Sequence, residues 1–196
     1  MIHNTLRNIK VVLASASPRR KQIFELLGIN ALTVPANVSE PITDDKPYKQ
    51  VKLHALNKAL AIAKLMDPAT LVVGSDTIVA IDDMVLGKPV NRKQAIEHLQ
   101  RLSGRTHNVY TAICIIYNNR QLVDYARTSV TFATLSDQDI SAYLDTKEPF
   151  DKAGAYGVQG YGSQFIEKIN GCYFNVMGFP VRLFHDMINE MFGVST

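Results

Sequence analysis

Five stretches of this chain carry side chains that could do chemistry together. Ser15-Ala-Ser17-Pro-Arg19-Arg20 reads as the start of a helix, with Ser17 suited to the N-cap and Pro18 to the first helical position. Two arginines in a first turn oppose the helix dipole, by about 0.3–1 kcal/mol each. Their placement makes sense if an anion is the guest, because free N–H groups, hydroxyls and guanidinium forks then converge on phosphate. A solvated basic turn has the same sequence. Asp76, in Gly74-Ser-Asp76-Thr77, follows an apolar run and is expected at a strand end, where open α/β sheets place ligands. A carboxylate there can hold Mg²⁺ or take a proton from water, and an Asx-turn aspartate is the plain alternative. Lys88, between Gly87 and Pro89, offers a compact cation, or is an exposed turn lysine. Lys58 lies on a helical wheel about 20° from Val51 and about 40° from Ile62, which puts it at the edge of an apolar arc. There it could equally snorkel to water. Asp151-Lys-Ala-Gly-Ala-Tyr-Gly-Val-Gln159-Gly160 is rich in glycine, so its backbone is expected to pass close to something. The amide of Gln159 offers one donor and one acceptor side, a match for two adjacent positions on the Watson–Crick edge of uracil or thymine.

Other chemistries are missing from the sequence. It has no G-x-x-x-x-G-K-[ST], H-E-x-x-H or G-x-S-x-G. His3, His54, His98, His107 and His185 show no metal-ligand spacing, and Cys114 and Cys172 read as packing residues. Two cysteines in 196 residues make no disulfide framework. The net charge of +3 and a longest basic run of Arg19-Arg20-Lys21 argue against a nucleic-acid grip. No apolar run reaches the ~20 residues of a membrane span. Met1–Lys10 lacks a signal-peptide pattern, so a cytoplasmic setting is expected.

Strands and helices alternate along the chain. Val11–Ala14 reads as a buried strand, followed by a helix whose apolar face is Ile23, Leu26 and Leu27 and which ends at Gly28. Residues 29–43 are extended and loop. A second helix opens at Asp44-Asp45-Lys46-Pro47 and runs to about Met66. Leu71–Gly74 is a strand, and Thr77–Ile81 with Met84–Leu86 forms a hairpin about Asp82-Asp83. Asn91 and Gln94 resemble a capping box before the stripe Ile96, Leu99 and Leu102. His107–Tyr117 and Gln121–Thr131 form an antiparallel pair, and Ser136 with Asp139 opens a short helix over Ile140–Leu144. Asn170-Gly171 predicts a hairpin between Phe165–Ile169 and Cys172–Val176. Pro180 begins a last helix, with Leu183, Phe184, Met187, Ile188 and Met191 facing inward. Composition is 46% hydrophobic and 20% charged, enough for one self-sufficient core. The expected fold is a single α/β domain, residues 1–196, with a mixed sheet.

Ala14-Ser-Ala-Ser-Pro-Arg-Arg20, Gly74-Ser-Asp-Thr77, Leu86-Gly-Lys-Pro89, Ser103-Gly-Arg-Thr-His107 and Asp151-Lys-Ala-Gly-Ala-Tyr-Gly-Val-Gln-Gly160 occur in this order. Together they resemble the Maf (septum-formation-inhibitor) family of nucleoside triphosphate pyrophosphatases, over about residues 10–190. The resemblance implies two lobes around a central cleft along an elongated mixed sheet, similar to inosine-triphosphatase-like enzymes. It implies hydrolysis of a nucleoside triphosphate to the monophosphate and pyrophosphate with a divalent cation, Mg²⁺ or Mn²⁺, by a homodimer. It puts the proton acceptor on Asp76, phosphate contacts on Ser15, Arg19, Arg20, Lys58 and Lys88, and base choice on Arg19, Thr77 and Gln159. Metal ligation falls to Asp76, Glu40 and Asp151. Thr77 with Gln159 looks like the branch acting on dTTP and UTP. The competing expectations are a non-catalytic nucleotide or nucleic-acid binder in septum formation, and the same reaction on 7-methyl-GTP or other non-standard nucleotides.

Overall fold

The computed structural model describes residues 1–194, and its organising element is an 11-residue strand, β3, Leu71–Ile81. The sequence predicts a strand that stops at Gly74 before the aspartate. Instead β3 runs through Gly74, Ser75, Asp76 and Thr77 without a break. Glycine and aspartate are poor strand formers, and here tertiary packing overrides that preference. Seven strands make one mixed sheet in the order β2-β1-β3-β5-β6-β7, with β4 also on β3. The other strands are β1 (Val11–Ala14), β2 (Ala31–Thr33), β4 (Met84–Leu86), β5 (Thr106–Tyr117), β6 (Arg120–Phe132) and β7 (Ile166–Asn170). β1 lies parallel to both β2 and β3, and every other pairing is antiparallel.

The expected hairpins at Asp82-Asp83 and Asn118-Asn119 form, with positive φ at both central residues of each turn. That conformation matches the twist of the flanking strands and suits Asp and Asn. The expected hairpin at Asn170-Gly171 does not form. β7 ends there, Gly171 takes φ +130°, and the chain enters helix α6, Tyr173–Met177. The reason lies beneath the turn. Thr128 Oγ1 accepts from Cys172 N and from Asn175 Nδ2, at 3.0 Å each, which pins the first turn of α6 against β6. A run of aromatic and β-branched residues is thus drawn into a helix by its polar anchor.

Along β3 successive side chains face opposite sides of the sheet. One side is covered by α3, Pro47–Ala63, over Val12, Val72, Ala112 and Cys114. The other is covered by α1 (Ile2–Thr5), α2 (Pro18–Leu26) and α7 (Val181–Phe192) over Leu13, Val73, Ile113 and Ile115. A third cluster gathers the far half of β3 with β4, α4 (Arg92–Leu102) and α5 (Asp137–Asp145). α5 carries a full capping box between Ser136 and Asp139. At α4 only half of one forms: Asn91 caps Gln94 N, but the Gln94 side chain accepts from Val90 N. Among the described residues no helix is long and apolar enough to cross a membrane.

Gly74 sets how near α3 comes. A Cβ there would overlap Ala55 O and stand 2.7 Å from Ala59 N, so the helix backbone rests directly on the strand. On its other edge β3 pairs with β1 over Leu71–Gly74 and with β4 over Val79–Ile81. Neither strand pairs with the stretch between them, residues 75–78.

Candidate active site

Asp76 sits in that interval. It shares the parity of Val72 and Gly74, so it points toward α3, and the close approach at Gly74 brings two α3 side chains to it. Lys58 Nζ lies 2.7 Å from Asp76 Oδ1, and His54 Nδ1 lies 3.2 Å from Oδ2. Lys58 also meets Glu40 Oε1 at 2.8 Å, so one ammonium bridges two carboxylates. His54 Nε2 faces the carbonyl of Pro41 at 3.2 Å, which ties the Glu40 loop to the helix. Lys58 is 8% exposed and Asp76 6%. The helical wheel's edge position is therefore an interior one. Burial favours the neutral acid of Asp76, but the His54 hydrogen bond and the Lys58 and Arg20 charges outweigh it and hold the carboxyl at about 2. His54 is shifted upward, first by its hydrogen bond to Asp76 and against its partial burial. Both of its nitrogens face oxygen acceptors, an arrangement that the doubly protonated ring satisfies.

On the opposite side of β3, Ser75 and Thr77 face α2 and the turn after α6. Arg20 is buried there and donates to Gly178 O at 2.8 Å, Thr77 Oγ1 at 3.0 Å and Ser15 Oγ at 3.2 Å. Thr77 Oγ1 shares a 3.0 Å hydrogen bond with Thr111 Oγ1, which donates to Asn175 O. Ser17 holds the N-cap position, but its side chain caps nothing. Its own N–H donates to Ser15 Oγ at 3.1 Å, and the first-turn N–H groups of α2 are left without a side-chain cap. Arg19 reaches Asp151 at 3.4 Å.

Asp76, Lys58, His54, Glu40, Thr77 and the Ser15–Arg20 turn line one cleft of about 840 Å³, and every residue that the resemblance assigns to the site borders it. Ser15, Arg19 and Arg20 come from the turn that opens α2, Glu40 from its loop, Lys58 from α3, Asp76 from β3, and Lys88 from the turn after β4. Asp151 and Gln159 come from the glycine-rich wall. Lys88 is exposed and forms no ion pair among the described residues, and the Gln159 side chain makes no hydrogen bond among them. Both are free for a guest. The ligand atoms of Glu40, His54 and Asp76 lie within 4.8 Å of one another. Paired carboxylate oxygens suit a hard divalent cation that shares substrate phosphates, and the imidazole, once it gives up a proton, suits Mn²⁺ as well. The donor set fits such an ion, and the bridging Lys58 ammonium marks the position as one that favours positive charge. Asp151 stands apart, salt-bridged to Arg19 and to Lys152.

His54 escaped the sequence reading. It carries no spacing along the chain that marks a ligand, because its partners lie on β3 and the Glu40 loop. The available signal was that His54 and Lys58 are four residues apart on one helix, hence on one face.

The chain matches the family model described as Maf-like protein over residues 10–191. A protein of Thermoanaerobacter sp. (strain X514) named dTTP/UTP pyrophosphatase is 42% identical over 188 residues, covering 95% of this chain and 98% of that one. A Bacillus cereus (strain ATCC 10987 / NRS 248) protein of the same name is 46% identical over 173 residues, covering 88% and 85%. A solved structure, protein VC0702 from Vibrio cholerae, aligns with 71% of this chain and 68% of its own at a TM-score of 0.33 and 12% identity, too distant to bear on fold or function. Matched from its first strand to its last helix, the chain belongs to the Maf family.

Proposed function

We propose that this protein hydrolyses dTTP and UTP to the monophosphate and pyrophosphate. The observation that carries the reading is a buried, ionised Asp76 in a cleft where cations from three separate segments converge: Arg19 and Arg20 on α2, Lys58 on α3, and Lys88 after β4. A nucleoside triphosphate brings a charge of about −4, so binding it needs such convergence, and phosphoryl transfer relies chiefly on positioning and electrostatic preorganisation. The names of the relatives support the same substrates.

Arg19, Lys88 and the uncapped start of α2 grip the phosphates, and Arg20 holds Ser15 and Thr77 in place beside them. Lys58 turns from the carboxylates to the incoming phosphates. Asp76, held at about 2 in the free protein, is then relieved of its nearest positive charge and gains the basicity to take a proton from water. That water attacks the α-phosphorus, and the bond from the α-phosphorus to the bridging oxygen breaks, releasing pyrophosphate. Glu40, with His54 beside it, would hold a divalent cation, whose chemistry when bound is to offset charge on the leaving pyrophosphate, which leaves Asp76 to take the proton. Gln159, unspent in the cleft, reads the pyrimidine edge, and Thr77 and Arg19 shape the pocket next to it.

The test is a panel of natural and modified triphosphates with Mg²⁺ or Mn²⁺, scored for pyrophosphate. Pyrophosphate released fastest from dTTP and UTP is the expected result. Release from 7-methyl-GTP in preference to them overturns the substrate assignment, and binding without release from any triphosphate overturns the reaction.

A further inference from the structure

Gln159 stands on a stretch that has no regular strand or long helix to hold it, yet base reading demands a fixed amide. The stretch is held by Glu148. Its Oε2 accepts from Tyr161 N at 2.9 Å, and its Oε1 accepts from Gly162 N at 3.2 Å and from the Tyr143 hydroxyl at 2.9 Å. The Tyr143 oxygen in turn accepts from Gly157 N at 3.2 Å. Both ends of an arch over residues 157–162 are therefore fastened to one carboxylate, directly on one side and through a phenol on the other, with Gln159 between them. The Lys152 ammonium donates to Glu148 O at 2.6 Å and anchors the residue's own backbone.

The glycines belong to the same device. A Cβ at Gly160, which has φ +75°, would overlap Glu148 Oε2. One at Gly162 would stand 2.6 Å from the Tyr143 oxygen. One at Gly157 would stand 3.2 Å from Glu148 Oε1. The close approach that glycine density predicts is, at Gly160, an approach to this carboxylate and, at Gly162, an approach to the phenol bound to it.

We propose that Glu148 is a positioning residue for base selection, acting through Gln159 by holding the 157–162 arch. Three hydrogen bonds occupy its carboxylate, so it orients the reader and does not read the base itself. The inference rests on Gln159 contacting the base. dTTP and dCTP separate the possibilities, because thymine offers N3–H and O4 where cytosine offers N3 and an amino group.

The experiment measures kcat/KM for dTTP and dCTP in the wild type, Glu148→Gln, Tyr143→Phe, Gln159→Ala and the double variant Glu148→Gln/Gln159→Ala. Expected in Glu148→Gln is a fall of about tenfold or more in the preference for dTTP, the scale of one misplaced hydrogen-bonding group. Tyr143→Phe, which removes the phenol's bonds to Glu148 and to Gly157 N but leaves the Tyr161 and Gly162 links, shifts the preference the same way by less. The double variant discriminates no worse than Gln159→Ala. A preference unchanged in both Glu148→Gln and Tyr143→Phe overturns the proposal, as does a loss shared equally by both nucleotides or an additive loss in the double variant. If Gln159→Ala itself keeps the preference, the base is read elsewhere, and that failure is distinct because it appears without touching Glu148.

Discussion

In the proposed reaction the carboxylate of Asp76 takes the proton from water, and its surroundings set two measurable properties. Asp76→Asn keeps the shape of the side chain but removes its charge. Turnover is expected to fall by about a hundredfold or more, the range of a lost acid–base group, with the circular dichroism of the wild type retained. Pyrophosphate release at the normal rate would take Asp76 out of the mechanism. The second property is acid stability. The folded protein holds Asp76 at about 2 against an ordinary value of 3.8, so the pairing stabilises the fold above the ordinary value and that contribution is lost as pH falls toward 2. Wild type should therefore exceed Asp76→Asn in unfolding midpoint near neutrality, and the gap should close as the medium is acidified. A gap that widens on acidification contradicts the ion-pair account. At this scale the sequence was informative about which residues meet and less so about how. The motifs marked Asp76, Lys88 and the Arg19-Arg20 pair, each of which borders the cleft. They could not mark His54, whose acceptors are a carboxylate 22 positions away and the Pro41 carbonyl.

At the level of elements, the contact between α3 and β3 does the positioning. Gly74→Ala tests it. The added methyl would meet the backbone of Ala55 and Ala59, and overpacking of this kind costs about 1–3 kcal/mol. The helix can relieve the clash only by lifting, which draws His54 and Lys58 off Asp76. Gly74→Ala should thus lower the melting temperature and lower kcat/KM even at temperatures where it is fully folded. Wild-type kcat/KM in a destabilised variant would show that α3 does not position the site. Here the sequence misled in an instructive way. Gly74 and Asp76 carry turn chemistry, which predicts a strand that stops between them. Yet the glycine serves helix contact and the aspartate serves the cleft, both within an unbroken strand. Cys172–Val176 has the composition of a strand, and the Thr128 anchor that makes it helical lies more than forty positions earlier.

Over the whole molecule, the cleft opens where β1 has left the edge of β3 and β4 has not yet joined it. Its floor is one hydrogen-bonded strand, and its walls are contributed by the start of α2, the Glu40 loop, the turn after β4 and the Gly157–Gly162 arch. A ligand that touches all of these binds only the folded chain. A dUTP analogue with a non-hydrolysable α,β bridge, at about a hundred times its dissociation constant, should raise the melting temperature by roughly 5–10 °C. Removing the divalent ion should shrink that shift. A shift equally large with uridine alone would mean that the phosphate-gripping wall contributes nothing.

Arg20 belongs to a relay that crosses the sheet: its guanidinium holds Thr77, Thr77 holds Thr111, and Thr111 holds the main chain of Asn175. Asn175 is fully buried and also binds Val109 O. Remoteness from solvent and from the cleft is then no guarantee of neutrality. A random-mutagenesis screen for inactive but well-expressed clones should recover substitutions at Thr111 and Asn175, behind the strand, along with those in the cavity wall.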